Sequence, residues 1–422
     1  MFSQRSAMLE RLGQPAPALA LETAVGVATG ALACLAPSPW VSSLGGGAAG
    51  GLAACLGRPH WSSGGLAPAF EVPEQERAAR LRNLFEGFLK GAAAGLVGSL
   101  AGPVVGGISG AALGALAWNR LPPIERSGTA IAHRILGVEE AWQRGFTGKG
   151  VTIAVLDTGC SRHADLGDRL LAFVDLVHGK SEPYDDDLHG TSTSTTAAGD
   201  GSASCGRILG AAPEASVVML KVADEEGFGH EEVLKALDWL KANRERYNIQ
   251  VVNMSFGLEC GQKLVLDALK PLADEGVLFC TSAGNSGPNP RKLDVLKGSD
   301  EVLTVGSFDA RGTERLGDDR LSETSSRPPQ DDSGGPDTVA VGTDLAAGTP
   351  DGGYRRYVDG GTSMASAYVA GAMALWKQAR PTLTVKEARA VMEKTSVPLS
   401  GTPASWQGTG RLQVARGLDL LT

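Results

Sequence analysis

Basic side chains, cysteines and aromatic rings are all scarce in this chain of 422 residues. Lys and Arg number 39 against 47 Asp and Glu, leaving a formal charge of −8 and a pI near 5.4. That balance excludes a nucleic-acid partner and predicts a soluble, acidic surface. The six cysteines (Cys34, Cys55, Cys160, Cys205, Cys260 and Cys280) show neither a Cys-x-x-Cys pair nor a metal-ligand spacing, so buried thiols are the plainest expectation. Aromatics make up 5% of the chain while glycine reaches 57 residues, a composition suited to tight loops and close packing of small side chains. A convincing secretory leader is also missing. Arg5 and Arg11 precede an apolar stretch, but Glu22 interrupts the approach and the distance from Met1 is long for such a signal. A cytoplasmic or membrane-associated location is therefore favoured over secretion.

Charge is absent altogether from two stretches, Thr23–Gly57 and Gly91–Trp118. The second has 28 residues, enough to cross a bilayer as a helix at about 1.5 Å per residue. Gly98, Gly102, Gly106, Gly110 and Gly114 recur at every fourth position and would line one smooth helical face. Just before it, Leu81, Leu84, Phe85, Phe88 and Leu89 form an amphipathic stripe among Arg80, Arg82, Glu86 and Lys90. Glycine and alanine contribute little hydrophobicity and Pro103 breaks the run. Membrane contact through residues 91–118 thus stands beside a flexible linker or a packed soluble hairpin. The composition changes near Leu121-Pro122-Pro123, where two prolines suit a boundary. Residues 1–124 are expected to be a Gly/Ala-rich, helical or poorly ordered pro-, regulatory or membrane-contacting region, and 125–422 a separate domain.

Within that domain, Gly361-Thr362-Ser363-Met364-Ala365-Ser366 precedes the apolar run Ala367–Trp376. The run reads as a buried helix, with Ser363 in its first turn, where unpaired N–H groups and the positive dipole end favour developing negative charge. Val151–Leu156 is a continuous β-branched and apolar run of the kind buried in a parallel sheet, and it ends in Asp157-Thr158-Gly159. An acid at the carboxyl end of such a strand sits at the usual functional edge of an open α/β sheet. His189-Gly190-Thr191 follows, then the small-residue run Ser192–Gly199. Imidazole, with an ordinary pKa of about 6.5, suits proton transfer near neutrality.

In the order Asp157, His189, Ser363 the chain resembles the subtilases, the subtilisin-like serine endopeptidases of peptidase family S8, from about Ile135 to Thr422. Val155–Gly159, His189–Thr191 and Gly361–Ala365 resemble the aspartate, histidine and serine motifs of that family. Val252–Gly257 is similar to its substrate-binding strand, and Thr281–Gly287 to the segment supplying an oxyanion-hole asparagine, here Asn285. The resemblance implies a doubly wound, mostly parallel α/β sheet with helices on both faces. It also implies Ser363 as nucleophile, His189 as base and then acid, Asp157 as its orienting partner, and Asn285 with the Ser363 N–H as oxyanion donors. Ser255, Phe256, Gly257, Ala283 and Gly284 would contact a protein or peptide substrate, with an apolar preference beside the scissile bond. No cofactor is required; a structural calcium is one expectation, with Asp165, Asp185, Asp186 and Asp187 as nearby acids. The alternative to free thiols is one disulfide in an exported form, Cys160–Cys205, since both lie near the triad residues in sequence.

Two departures from the family pattern stand out. The histidine motif usually continues with a second histidine and a Val-Ala-Gly-like run, but here Ser192 and Thr193 follow. The serine motif usually continues Pro-His, where this chain has Ala367-Tyr368. An inactive subtilase-fold binding protein with a membrane-associated N-terminus is the alternative reading, which would call for a lost triad or oxyanion residue. A paired-aspartate reading through Asp157-Thr158-Gly159 and Asp332-Ser333-Gly334 fails, because Asp332 follows a polar, proline-broken stretch.

Strands are expected at Val151–Leu156, Ser216–Val222, Gln250–Met254, Val277–Thr281, Val302–Val305 and Thr338–Val341. Helices are expected at Glu231–Glu245, Gln262–Glu275, Ser363–Gln378 and Val385–Lys394, and Ala310–Pro336 reads as an extended surface loop.

Overall fold

All six expected strands enter one sheet in the computed structural model. The structure describes residues 127–422 except 225–226, 259, 291–295, 297–298 and 330–333. The expectations for 1–124, including the stretch 91–118, Cys34 and Cys55, lie outside the described residues, as does Asp332. Among the described residues no helix is long and apolar enough to cross a membrane.

The chain opens with α1 (Thr129–Ile135), α2 (Val138–Gln143), β1 (Thr152–Asp157), β2 (Leu170–Asp175), α3 (His189–Ala198) and β3 (Ser216–Lys221). A short hairpin, β4 (Ala223–Asp224) and β5 (Gly227–Phe228), leads into α4 (His230–Tyr247), β6 (Ile249–Met254) and α5 (Gln262–Asp274). Then come β7 (Leu278–Ser282), β8 (Val302–Asp309), β9 (Arg320–Leu321), β10 (Thr338–Val341) and the hairpin β11 (Leu345–Gly348) with β12 (Tyr354–Tyr357). The remaining helices are α6 (Thr362–Ala379), α7 (Val385–Thr395), α8 (Ala404–Gln407) and α9 (Val414–Leu421).

The sheet order is β10-β8-β7-β6-β1-β3-β2, parallel throughout, with β9 antiparallel against β8. From β1 the chain moves outward to β2 on one side, and from β6 it moves outward to β7 on the other. The carboxyl ends of β1 and β6 therefore flank the point where the winding reverses, the usual ligand crevice of such sheets. Alternation along β1 divides its side chains between two cores, as expected for a strand covered on both faces. Ile153 and Val155 join the side formed by α6, α7 and α9, while Ala154 and Leu156 join the side of α4 and α5. Each fully buried aliphatic side chain of this kind contributes about 1.5–3 kcal/mol of transfer free energy.

The stretch Ala310–Pro336 departs from the expected surface loop. It contributes β9 and buries Asp319, Ser322, Ser325 and Ser326. The cause is long-range pairing: Asp319 forms a buried ion pair with Arg411, and the Ser325 hydroxyl accepts from the Ser307 N–H. The expectation of buried thiols holds for Cys160 and Cys280 but not for the exposed Cys205 and Cys260, and the alternative Cys160–Cys205 disulfide does not form. Cys160 is buried with its thiol donating to the Ser161 carbonyl, whereas Cys205 stands exposed, and no disulfide joins the described cysteines. Burial, reinforced by the nearby Asp185 charge, pushes the Cys160 thiol up to about 12, so it stays protonated.

Candidate active site

Three chain segments far apart in sequence meet over the winding reversal. Asp157 ends β1 with no exposed surface, and its Oδ1 accepts from His189 Nδ1 at 2.7 Å and from the Thr158 N–H at 2.8 Å. His189 is the first residue of α3, with its side chain 26% exposed. The helix start is fixed by Asp185, whose carboxylate accepts from the Thr191 N–H and hydroxyl, from the Leu188 N–H and from the Thr158 hydroxyl. An acid at this end complements the helix dipole as well as its unpaired N–H groups. Gly190 is required here because a Cβ would run into the Gly159 carbonyl. Burial depresses the imidazole pKa, but the carboxylates of Asp157, Asp187 and Asp185 outweigh it and hold it above the ordinary value.

Ser363 is the second residue of α6, where its own N–H has no partner inside the helix. Its hydroxyl donates to the Ser255 carbonyl at 3.1 Å, and the Ser255 hydroxyl donates back to the Ser363 carbonyl at 2.9 Å. Beneath them, Asn253 Nδ2 donates to the Ser255 hydroxyl and Asn253 Oδ1 accepts from Ser366. This buried relay locks the end of β6 to the start of α6.

Asn285 leaves β7 through Ala283 and Gly284. Its Oδ1 accepts from both the Thr362 N–H and the Thr362 hydroxyl, each at 2.9 Å. A backbone N–H can only donate, so the amide orientation follows, with Nδ2 as the outward donor end. The Thr362 hydroxyl in turn accepts from the Gly284 N–H. Asn285 and Ser363 thus share one anchor, Thr362, a role that motif reading did not assign. Phe256 is buried and stacks on Phe228 of β5 with centroids 4.5 Å apart. Phe228 was also missed; an aromatic within a polar, Gly-containing hairpin was the available signal. Ala283 is buried, Gly284 partly so, and Gly257 is exposed beside Phe256.

The four acids considered for calcium have separate engagements. Asp165 accepts from Tyr354 and the Ala203 N–H, Asp186 pairs with the buried Lys221, Asp185 caps α3, and Asp187 is exposed. Among the described residues no three His, Cys, Asp or Glu side chains gather into a metal-holding group.

Comparison with known proteins matches the model of the subtilase family, peptidase S8, to residues 148–413, more than half of the chain. The chain belongs to the subtilase family. It is 33% identical over 274 residues to the serine protease AprX of Bacillus subtilis strain 168, covering 59% of this chain and 61% of that protein. Against subtilisin E of the same strain it is 30% identical over 275 residues, covering 64% and 66%. This subtilase chain therefore spans about three fifths of the AprX length. Among solved structures, a psychrophilic protease, S41, superposes with a TM-score of 0.56 at 27% identity, over 64% of this subtilase and 92% of that chain.

Proposed function

We propose that this subtilase is a serine endopeptidase acting through Ser363, His189 and Asp157. The observation that carries the reading is the 2.7 Å His189–Asp157 contact at the winding reversal, with Ser363 at the N-terminus of α6, the helix packed against α3. With a peptide bound, the Ser363 hydroxyl turns from the Ser255 carbonyl to His189 Nε2, which takes its proton as Oγ attacks the peptide carbonyl carbon. Asp157 holds the imidazole with Nε2 free to accept and stabilises the imidazolium that forms. The oxyanion is met by Asn285 Nδ2 and the Ser363 N–H, donors in place before the charge develops. His189 then hands its proton to the leaving amine, and water repeats the sequence to release the acyl group.

The substrate is a protein or peptide laid in extended form along Ser255–Gly257, its backbone paired with that edge. The partly exposed Phe228, stacked on the buried Phe256, and the partly exposed Gly284 beyond the neighbouring strand offer an apolar surface, which suits a large apolar side chain before the scissile bond.

The test is full-length protein and Ser363→Ala assayed on an unfolded protein substrate and with a fluorophosphonate label. Hydrolysis and labelling by the wild type, both lost in Ser363→Ala, are expected, because the triad works as a unit. Turnover by Ser363→Ala within about tenfold of wild type overturns the assignment, since nucleophile loss costs several orders of magnitude.

A further inference from the structure

The departure from the family pattern just after His189 has a counterpart in the structure. Thr193, one helical turn beyond Gly190 and with no exposed surface, directs its hydroxyl to Asp157 Oδ2 at 3.0 Å. Asp157 Oδ1 is already engaged by His189 and the Thr158 N–H, so among the described residues Thr193 supplies the hydrogen bond on the second oxygen. From Oγ1 the Gly190 carbonyl is 3.1 Å away, a competing acceptor. A hydroxyl has one proton, and a fully buried carboxylate attracts it more strongly than a neutral carbonyl does.

We propose that Thr193 is a positioning residue for the triad, clamping the second oxygen of Asp157 so that the first stays aimed at His189 Nδ1. The proposal rests on the peptidase reading above. An unshared oxygen on a carboxylate removed from water would cost the full desolvation penalty and would leave the group free to rotate about its last bond. The clamp comes from the helix that carries His189, so acid and imidazole are tied to one rigid element and cannot drift apart independently.

The clamp also sets the field at the imidazole. The charged groups facing His189 are Asp157 on β1, with Asp185 and Asp187 in the segment before α3. Lys221 on β3, alongside Asp157, is turned to the Thr158 carbonyl and Asp186. The Thr193 O–H dipole places positive charge against Asp157 and so tempers the carboxylate's pull on a protonated His189. Without it, a carboxylate that keeps its aim stabilises the imidazolium better and one that rotates away stabilises it less, so the acid limb of activity leaves its wild-type midpoint.

The experiment compares full-length wild type, Thr193→Val, which keeps the shape and deletes the hydroxyl, and Thr193→Ser, which keeps the hydroxyl. Expected for Thr193→Val are a kcat lower by about tenfold, the scale of a hydrogen bond to a charge, with KM little changed. The acid-limb midpoint should shift, upward where the lost dipole dominates and downward where the aim is lost, and Thr193→Ser should restore both. Equal kcat and pH profile for wild type and Thr193→Val overturn the proposal, as does a loss that Thr193→Ser fails to restore. The His189 Nδ1 proton, followed by NMR against pH in Ser363→Ala and in Ser363→Ala with Thr193→Val, gives a readout independent of turnover. A titration shifted there, in a protein whose wild type hydrolyses nothing, would fail the peptidase reading and keep the clamp. Superimposable titrations would remove the clamp whatever the activity.

Discussion

The two helices that deliver His189 and Ser363 are both buried and chemically opposite. In α6, Met364, Tyr368, Val369, Met373, Leu375 and Trp376 are buried in the apolar core and hold the helix by their apolar area. In α3, five consecutive residues from Ser192 to Thr196 carry hydroxyls, and all of them are buried. For Ser192, Thr193, Thr195 and Thr196 burial is offset by individual hydrogen bonds. Ser192 donates to the Gly348 carbonyl and meets the Tyr357 hydroxyl, Thr193 reaches Asp157, and the Thr195 hydroxyl accepts from the Gly348 N–H. Thr196 approaches Met364 of α6 at 3.6 Å, where the two helices touch. One helix is held by area and tolerates small shifts; the other is held by directed bonds and tolerates few.

The contrast breaks first at Trp376. It is fully buried, donates to the Val414 carbonyl and packs against Gly417 so closely that a Cβ there would clash. Trp376→Ala should cost about 3–5 kcal/mol of stability, read from urea unfolding monitored by circular dichroism in a Ser363→Ala background. A cost under about 1 kcal/mol would show that area does not hold this helix.

Thr195→Val is the matching cut on α3. It changes shape little but strips the Gly348 N–H of its acceptor in a buried setting. A loss of about 1–3 kcal/mol is expected in the same assay, and a neutral result would mean that the hydroxyl run is not held bond by bond.

The smallest effect is electrostatic. On the proposed reading His189 must be neutral to act as base, and burial, which depresses its pKa, is outweighed by Asp157, Asp187 and Asp185, which hold it above the ordinary value. Activity should therefore fall as pH drops through a midpoint above the free-imidazole value of about 6.5. Asp187 is exposed, so Asp187→Asn should move that midpoint modestly downward, and added salt should shrink the difference between variant and wild type. A midpoint that rises, or that does not respond, would contradict the assigned sign. For stability the sign is opposite: a raised imidazole favours folding below its unfolded pKa, and that gain disappears as pH climbs through the folded value.

The same contrast explains what could be read from the residues alone. Continuous β-branched and apolar runs such as Val151–Leu156 and the apolar run of α6 carry a hydrophobic signal, and the six expected strands and four expected helices all form, with shifted ends. Helix α3 was not anticipated as a helix, since a Ser/Thr run has no apolar period and its stability comes from partners in β1 and β11. Strand β2 at the sheet edge and helices α1, α2 and α9 were passed over as well. Motif spacing pointed to Asp157, His189, Ser363 and Asn285. It could not reveal Thr362, Asn253 or Thr193, whose roles exist only once distant segments touch. The buried Asp319–Arg411 pair escaped for the same reason, leaving a polar stretch to be read as surface.

The order of strands in the sheet has a kinetic corollary. β1 lies inside it, between β6 and β3, while α3 and α6 enter from early and late parts of the chain. Parallel pairing between segments so distant in sequence is slow, because each closure loses loop entropy before any contact repays it. Asp157, His189 and Ser363 can meet only after the central strands have paired and both helices have docked. A chain still emerging from the ribosome, or one stalled half-way, lacks Ser363 or its setting and is inert toward its neighbours. On the proposed reading, hydrolytic competence would arrive as a late consequence of complete folding, a safeguard written into connectivity rather than into any single residue.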